Sequence, residues 1–175
     1  NDHFSNYEIY NTYQNIKNTN NFFLKEVDYV DLTWLINKKN FDIDDLWDEK
    51  IFLYFEARDF AKRLKDKNKK IFVAERINTY HIGSASHDNK FEYYSILNRN
   101  WHYNWSRFYY NKKHFGYLFA VKKSISLLVK LFFKYIKSLL LFNKKESKFI
   151  FAELHGLICS LINKPSFYRP YKDIE

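Results

Sequence analysis

Residues 51–65 read IFLYFEARDFAKRLK: a solid apolar and aromatic run, then Glu56, Ala57, Arg58 and Asp59, then a helical pattern. Phe60, Leu64 and the alkyl parts of Arg63 and Lys67 recur at helical spacing, which predicts a helix over 55–68. Two accounts of the charges fit residue chemistry alone. Acidic groups in a first turn are stabilised by the helix macrodipole, by about 0.3–1 kcal/mol. A Glu directly after an apolar run also sits at the mouth of a strand or turn, where burial raises its proton affinity towards duty as a base.

Working outward, EVDYVDLTWLI (26–36) alternates and is rich in β-branched and aromatic residues, so it reads as a strand. NKKNFDIDDLWDEK (37–50) reads as a turn and loop, and Asp42, Asp44 and Asp45 lack the glycine and spacing of a calcium loop. KKIFVAE (69–75) is a second short strand, and NTYHIGSAS (78–86) reads as a strand end running into a small-residue loop. Strand, helix, strand at this spacing is an α/β signature. A lone His such as His81 is usually a satisfied polar residue. Here Gly83, Ser84 and Ser86 make a loop able to approach a phosphate, and a neutral imidazole beside it can complete a divalent-metal site. Residues 1–22 are polar and Asn-rich, without clear periodicity, and read as loop or irregular helix; no apolar leader segment follows Asn1.

Beyond Asn89 the character changes. Residues 91–114 form an aromatic, basic helical stretch; Gly116 precedes the broadly apolar YLFAVKKSISLLVKLFFKYIKSLLLF; and SKFIFAELHGLICSLINKPSFYRP predicts a last helix ended near Pro165. Lys123, Ser126, Lys130, Lys134 and Lys137 place one polar stripe on the long apolar helix. A spanning helix needs roughly 18 or more apolar residues in a row, and here a Lys intervenes every few positions. The segment therefore reads as a helix lying in a membrane interface or packed on its own domain.

The charge is concentrated in the same region. From Tyr93 to Lys145 there is no Asp or Glu, and eleven of the 29 Lys and Arg residues fall there; the rest, with 18 basic and 20 acidic residues, is close to neutral. A local excess of this kind points to an anionic partner, lipid headgroups or nucleic acid. With 46% hydrophobic and 21% aromatic residues but only three Gly and two Pro, the chain can bury a sizeable core and is neither disordered nor a turn-rich sandwich. The single Cys159 excludes an internal disulfide, fits a reducing compartment and reads as a packing residue.

The order of these pieces resembles the second half of the catalytic domain of family 2 glycosyltransferases, especially bacterial rhamnosyltransferase-like members. The family pattern runs Phe-Asp-Glu, then Phe-Leu-Tyr-Phe-Glu-Asp-x-Asp-Leu, an Arg, a Lys-rich turn, a strand, and x-His-x-Gly-Gly-x-Ser. This chain carries DLWDEKIFLYFEARDFAKRLKDKNKKIFVAERINTYHIGSAS in the same order, and the match covers roughly residues 26–115. The resemblance implies an α/β fold, the second half of a GT-A (Rossmann-like) mixed sheet over residues 1–115, followed by C-terminal amphipathic helices over 116–175. It implies inverting transfer of a sugar from a nucleotide-sugar donor to a cell-surface or lipid-linked glycan acceptor, with Mg²⁺ or Mn²⁺. On that pattern Glu56 and Asp59 are the catalytic carboxylates, His81 the metal ligand, and Trp34, Arg63 and Ser84 substrate-binding residues. The expected compartment is cytoplasmic, with the inner face of the cell membrane as the site of peripheral attachment.

Three features depart from the family pattern. Ala57 stands where the second acid of the Glu-Asp pair is usual, Leu32, Thr33 and Trp34 replace the small residues usual in the acceptor-side strand, and no Asp-x-Asp precedes residue 26. These leave open a degenerate domain that binds sugar nucleotide or acceptor without turnover. A third reading is a basic, aromatic nucleic-acid module in which Trp101, Tyr103, Trp105, Arg107 and Phe108 stack bases.

Overall fold

The structure is a computed structural model that describes residues 24–31, 34–36, 46–75 and 91–170. These fall into two compact units, one within residues 1–48 and 56–82, the other within 49–55 and 83–175. The described chain is mostly helical, with one small antiparallel sheet.

The first unit contains β1 (Leu24–Val27), α1 (Glu56–Asp66) and β2 (Ile71–Ala74). The strands pair antiparallel, from Leu24 against Ala74 to Val27 against Ile71. Ala57, Phe60, Ala61 and Leu64 repeat at helical spacing and turn inward. Phe60, Ala61 and Leu64 join Val27 and Ile71 in a core flanked by Trp34, Leu46 and Val73. The helix ends where Asn68 takes a left-handed φ of 54°. Its N–H bonds the Lys65 carbonyl at 3.0 Å while the Lys69 N–H bonds that of Leu64 at 2.9 Å, the pairing of a Schellman cap. Ion pairs join Lys70 to Glu26 at 2.8 Å and Lys25 to Glu75 at 3.2 Å.

The strand expected over 26–36 is much shorter. Pairing begins at Leu24 and stops at Val27, because β2 offers only four residues to pair with. The expected strand–helix–strand order is present around α1, whereas a mixed GT-A sheet is not seen among the described residues.

The second unit is built on α2 (Glu92–Phe115), α3 (Tyr117–Leu140) and α4 (Lys144–Leu161). Trp101 and Trp105 of α2 pack with Ala152 and Cys159 of α4, Phe108 with Ala120 and Leu157, and Leu131 of α3 with Ile150 and Leu154. α2 and α4 approach so closely that a Cβ on Gly156 would lie 2.2 Å from the Trp101 carbonyl oxygen. Gly116 (φ 89°) breaks the chain between α2 and α3, a conformation that glycine adopts without a Cβ clash. Between α3 and α4, Phe142 takes the left-handed position of a second Schellman cap. Asn143 then caps the start of α4: its side chain accepts from the Glu146 N–H at 3.2 Å and donates to the Glu146 carboxylate at 2.8 Å.

The division therefore differs from an expected boundary at 115/116, since α2 belongs with α3 and α4. The apolar run at 51–55 also belongs to this unit and is not a strand. Ser106 Oγ donates to the Leu53 carbonyl at 2.8 Å, Ile51 is buried, and Tyr54 and Phe55 pack on Tyr103. Trp101, Trp105 and Phe108 are almost wholly enclosed, which leaves them no open ring face for the base stacking of the third reading.

Candidate functional site

Glu56 is the first residue of α1, and it follows two consecutive left-handed residues, Tyr54 (φ 64°) and Phe55 (φ 69°). Such a φ costs a non-glycine residue roughly 1–2 kcal/mol, and strained backbone concentrates at functional sites. The side chain is half-buried, and its Oε2 is buried with no hydrogen-bond partner among the described residues. Burial pushes the Glu56 carboxyl above the usual carboxylate range, its own backbone hydrogen bond opposes this, and the negative charge of Asp31 adds to the rise.

Around this carboxylate lie polar groups that the sequence pattern did not single out. The Tyr29 hydroxyl donates to the Asp31 carboxylate, and the Arg58 guanidinium lies 5.6 Å from the centre of the Tyr29 ring. Burial and the Asp31 carboxylate hold the Tyr29 proton well above the ordinary phenol range. In the sequence, Tyr29 and Asp31 are alternating positions of an expected strand, and Arg58 is part of a helix start. Their one legible signal was the Tyr-x-Asp spacing, which is too common to be read as a site. The arrangement supplies one carboxylate with an unpartnered oxygen and raised proton affinity, a second carboxylate, and a guanidinium. It can receive a proton from a bound hydroxyl.

Asp59 and Arg63 have a different environment. Asp59 is 0% exposed, and its Oδ2 accepts from Arg63 Nε at 2.8 Å. Arg63 Nη2 also donates to the Leu46 carbonyl, and its guanidinium covers the Phe60 ring at 5.5 Å. The pair ties α1 to the segment at residue 46 within the first unit. Asp59, expected as a catalytic carboxylate, is enclosed and paired here, and Arg63, expected to bind substrate, is its partner. Trp34, expected to bind substrate, packs edge-on to Phe60 (5.1 Å) and Trp47 (6.0 Å). Its indole Nε1 is buried without a partner among the described residues.

His81 and Ser84, and the acidic cluster at Asp42, Asp44 and Asp45, lie outside the described residues. Among the described residues no three His, Cys, Asp or Glu groups come together to hold a metal ion. The Mg²⁺ or Mn²⁺ site that the resemblance implied rests on His81, which is not among those residues.

The second unit holds one enclosed polar cluster. His102 is fully buried; its Nε2 lies 2.9 Å from the Tyr168 carbonyl and its Nδ1 3.2 Å from Ser166 Oγ. The tautomer protonated at Nε2 donates to Tyr168 and accepts the serine proton at Nδ1, and Arg169 Nη1, 3.1 Å from Nε2, then directs its two protons to backbone carbonyls. Burial, opposed by the Tyr168 carbonyl and aided by the Arg169 charge, brings the imidazole down to about 4. Arg169 donates to the Ser166 and Tyr168 carbonyls at 3.1 and 2.7 Å and lies 3.4 Å from the centre of the Phe52 ring. The cluster ties residues 166–169 to α2. Cys159 is buried, and burial pushes its thiol up, which suits a packing residue.

No helix among the described residues is long and apolar enough to cross a membrane. In comparisons with known proteins, no family model, no curated protein and no solved structure matches this chain.

Proposed function

We propose that this polypeptide takes part in glycosyl transfer, with Glu56 as the base that deprotonates the acceptor hydroxyl. The acceptor oxygen then attacks the anomeric carbon of a nucleotide sugar as the bond to the diphosphate breaks. The nucleoside diphosphate leaves with the electron pair, and the carbon inverts. The observation that carries the reading is the Glu56 carboxylate, placed at a rigid helix start, with a buried and unpartnered oxygen and raised proton affinity. The resemblance of residues 26–115 to family 2 glycosyltransferases names the reaction class and the GT-A frame in which such a base acts. Asp59 and Arg63 serve as positioning residues that hold α1.

A second reading, binding of a sugar nucleotide or acceptor without turnover, is favoured by Ala57. This residue is 5% exposed and carries no carboxylate, so the position next to Glu56 on α1 supplies no second acid. Nucleoside diphosphate release from a panel of nucleotide sugars, with and without glycan acceptors, separates the two. Transfer reduced roughly 100-fold or more in Glu56→Gln supports the base. Donor binding by the full chain without any release supports the non-catalytic reading.

A further inference from the structure

We propose that the outer face of α3, with the turn leading into α4, docks on an anionic lipid surface. The inward face of α3 is defined by its buried residues Ala120, Ser124, Leu131 and Ser138. At 3.6 residues per turn, Leu118, Ile125, Val129, Phe133, Ile136 and Leu140 project from the opposite side. All six are exposed, Leu118 by 82% and Leu140 by 73%. The row continues into the turn, where Leu141 and Phe142 are 65% and 88% exposed. An apolar face of this length exceeds the scattered apolar residues of an ordinary surface and marks a docking site.

The charges select the occupant. Lys123, Lys130, Lys134 and Lys137 run along one flank of the apolar row, and Lys144 and Lys145 follow the turn. α3 contains no Asp or Glu. A second copy seated face to face would bring two lysine rows together with no carboxylate on either α3 to meet them. A headgroup layer instead supplies phosphates to the lysines while the acyl boundary takes the apolar row, the arrangement of an interfacial amphipathic helix. The turn at residues 139–142 enters deepest, since its side chains are among the most exposed. This inference rests on surface geometry and does not depend on the sugar-transfer reading.

Sedimentation of the full chain with phosphatidylcholine vesicles, with and without phosphatidylglycerol, tests it. Binding is expected only to the anionic vesicles and weakens as salt rises. Changing Lys130, Lys134 and Lys137 together to Gln lowers it by on the order of tenfold to a hundredfold. Phe133→Ser with Leu140→Ser also abolishes most binding, and because these sites are exposed, circular dichroism should show an unchanged fold. Equal partition onto pure phosphatidylcholine, or anionic binding untouched by the Phe133 and Leu140 changes, overturns the proposal. So does an absence of vesicle binding accompanied by dimerisation, seen in analytical ultracentrifugation and lost in Phe133→Ser, which would make the face a self-association surface.

Discussion

Arg63 Nε lies 2.8 Å from Asp59 Oδ2, and this enclosed pair anchors the helix that presents Glu56. Removing one partner of a buried pair leaves an uncompensated charge, which typically costs about 3–5 kcal/mol. Asp59→Ala and Arg63→Met are each expected to destabilise the first unit by that order. Asp59→Leu combined with Arg63→Met should recover most of the loss in chemical denaturation. A folded, stable Asp59→Asn protein with abolished transfer would instead restore Asp59 to the catalytic machinery.

Ala57 decides what an added acid does. Ala57 is buried, so Ala57→Asp encloses a carboxylate where a methyl group now sits. The expected result is a fall in melting temperature with no gain in transfer. A stable, more active variant would show that α1 rotates when its site is occupied.

Glu56 carries a sign that pH can read. Its carboxyl is raised in the folded state, so the folded chain holds the proton more tightly than the unfolded chain. The stabilising contribution is present at pH below the ordinary Glu range and is lost as pH rises through the folded value. Glu56→Gln should therefore melt at a higher temperature than the parent at neutral pH and at nearly the same temperature in acid. Transfer by the parent should rise over the same interval as the base ionises.

His102 has the opposite dependence. Its folded value of about 4 lies below the ordinary imidazole value, so the unfolded chain takes up the proton first. Stability is full above about pH 6.5 and falls as pH drops towards 4, by up to about 3 kcal/mol. The groups facing it are Arg169, Ser166 and the Tyr168 carbonyl, with the rings of Phe52 and Trp101. Acid unfolding followed by tryptophan fluorescence should shift to lower pH in His102→Gln relative to that variant's own stability at pH 7.

Gly156 marks the closest approach of α2 and α4. An alanine Cβ would lie 2.2 Å from the Trp101 backbone oxygen, and backbone on both sides must separate to admit it. Gly156→Ala should cost at least the roughly 1–3 kcal/mol of an overpacked core, despite alanine's better helix propensity. Denaturant titration of the second unit measures it.

The helices were legible because their causes are local. The Phe60–Leu64 spacing, the break at Gly116 and the stop before Pro165 act within a few residues, so α1, α3 and α4 fall close to where periodicity places them. The lysine stripe of α3 was equally plain. What lay beyond reach depended on distant partners. The alternation of residues 26–36 marks extended chain, but only the four residues of β2 determine how much of it pairs. The letters Glu56-Ala57-Arg58-Asp59 offer two carboxylates of equal standing. Only the packing of α1 turns Asp59 inward to Arg63 and leaves one oxygen of Glu56 without a partner. By itself the sequence determined the helical segments and the segregation of charge, through short-range periodicity. The tertiary structure decided which carboxylate remained available and which aromatic residues were enclosed, because burial is set by contacts between residues far apart in the chain.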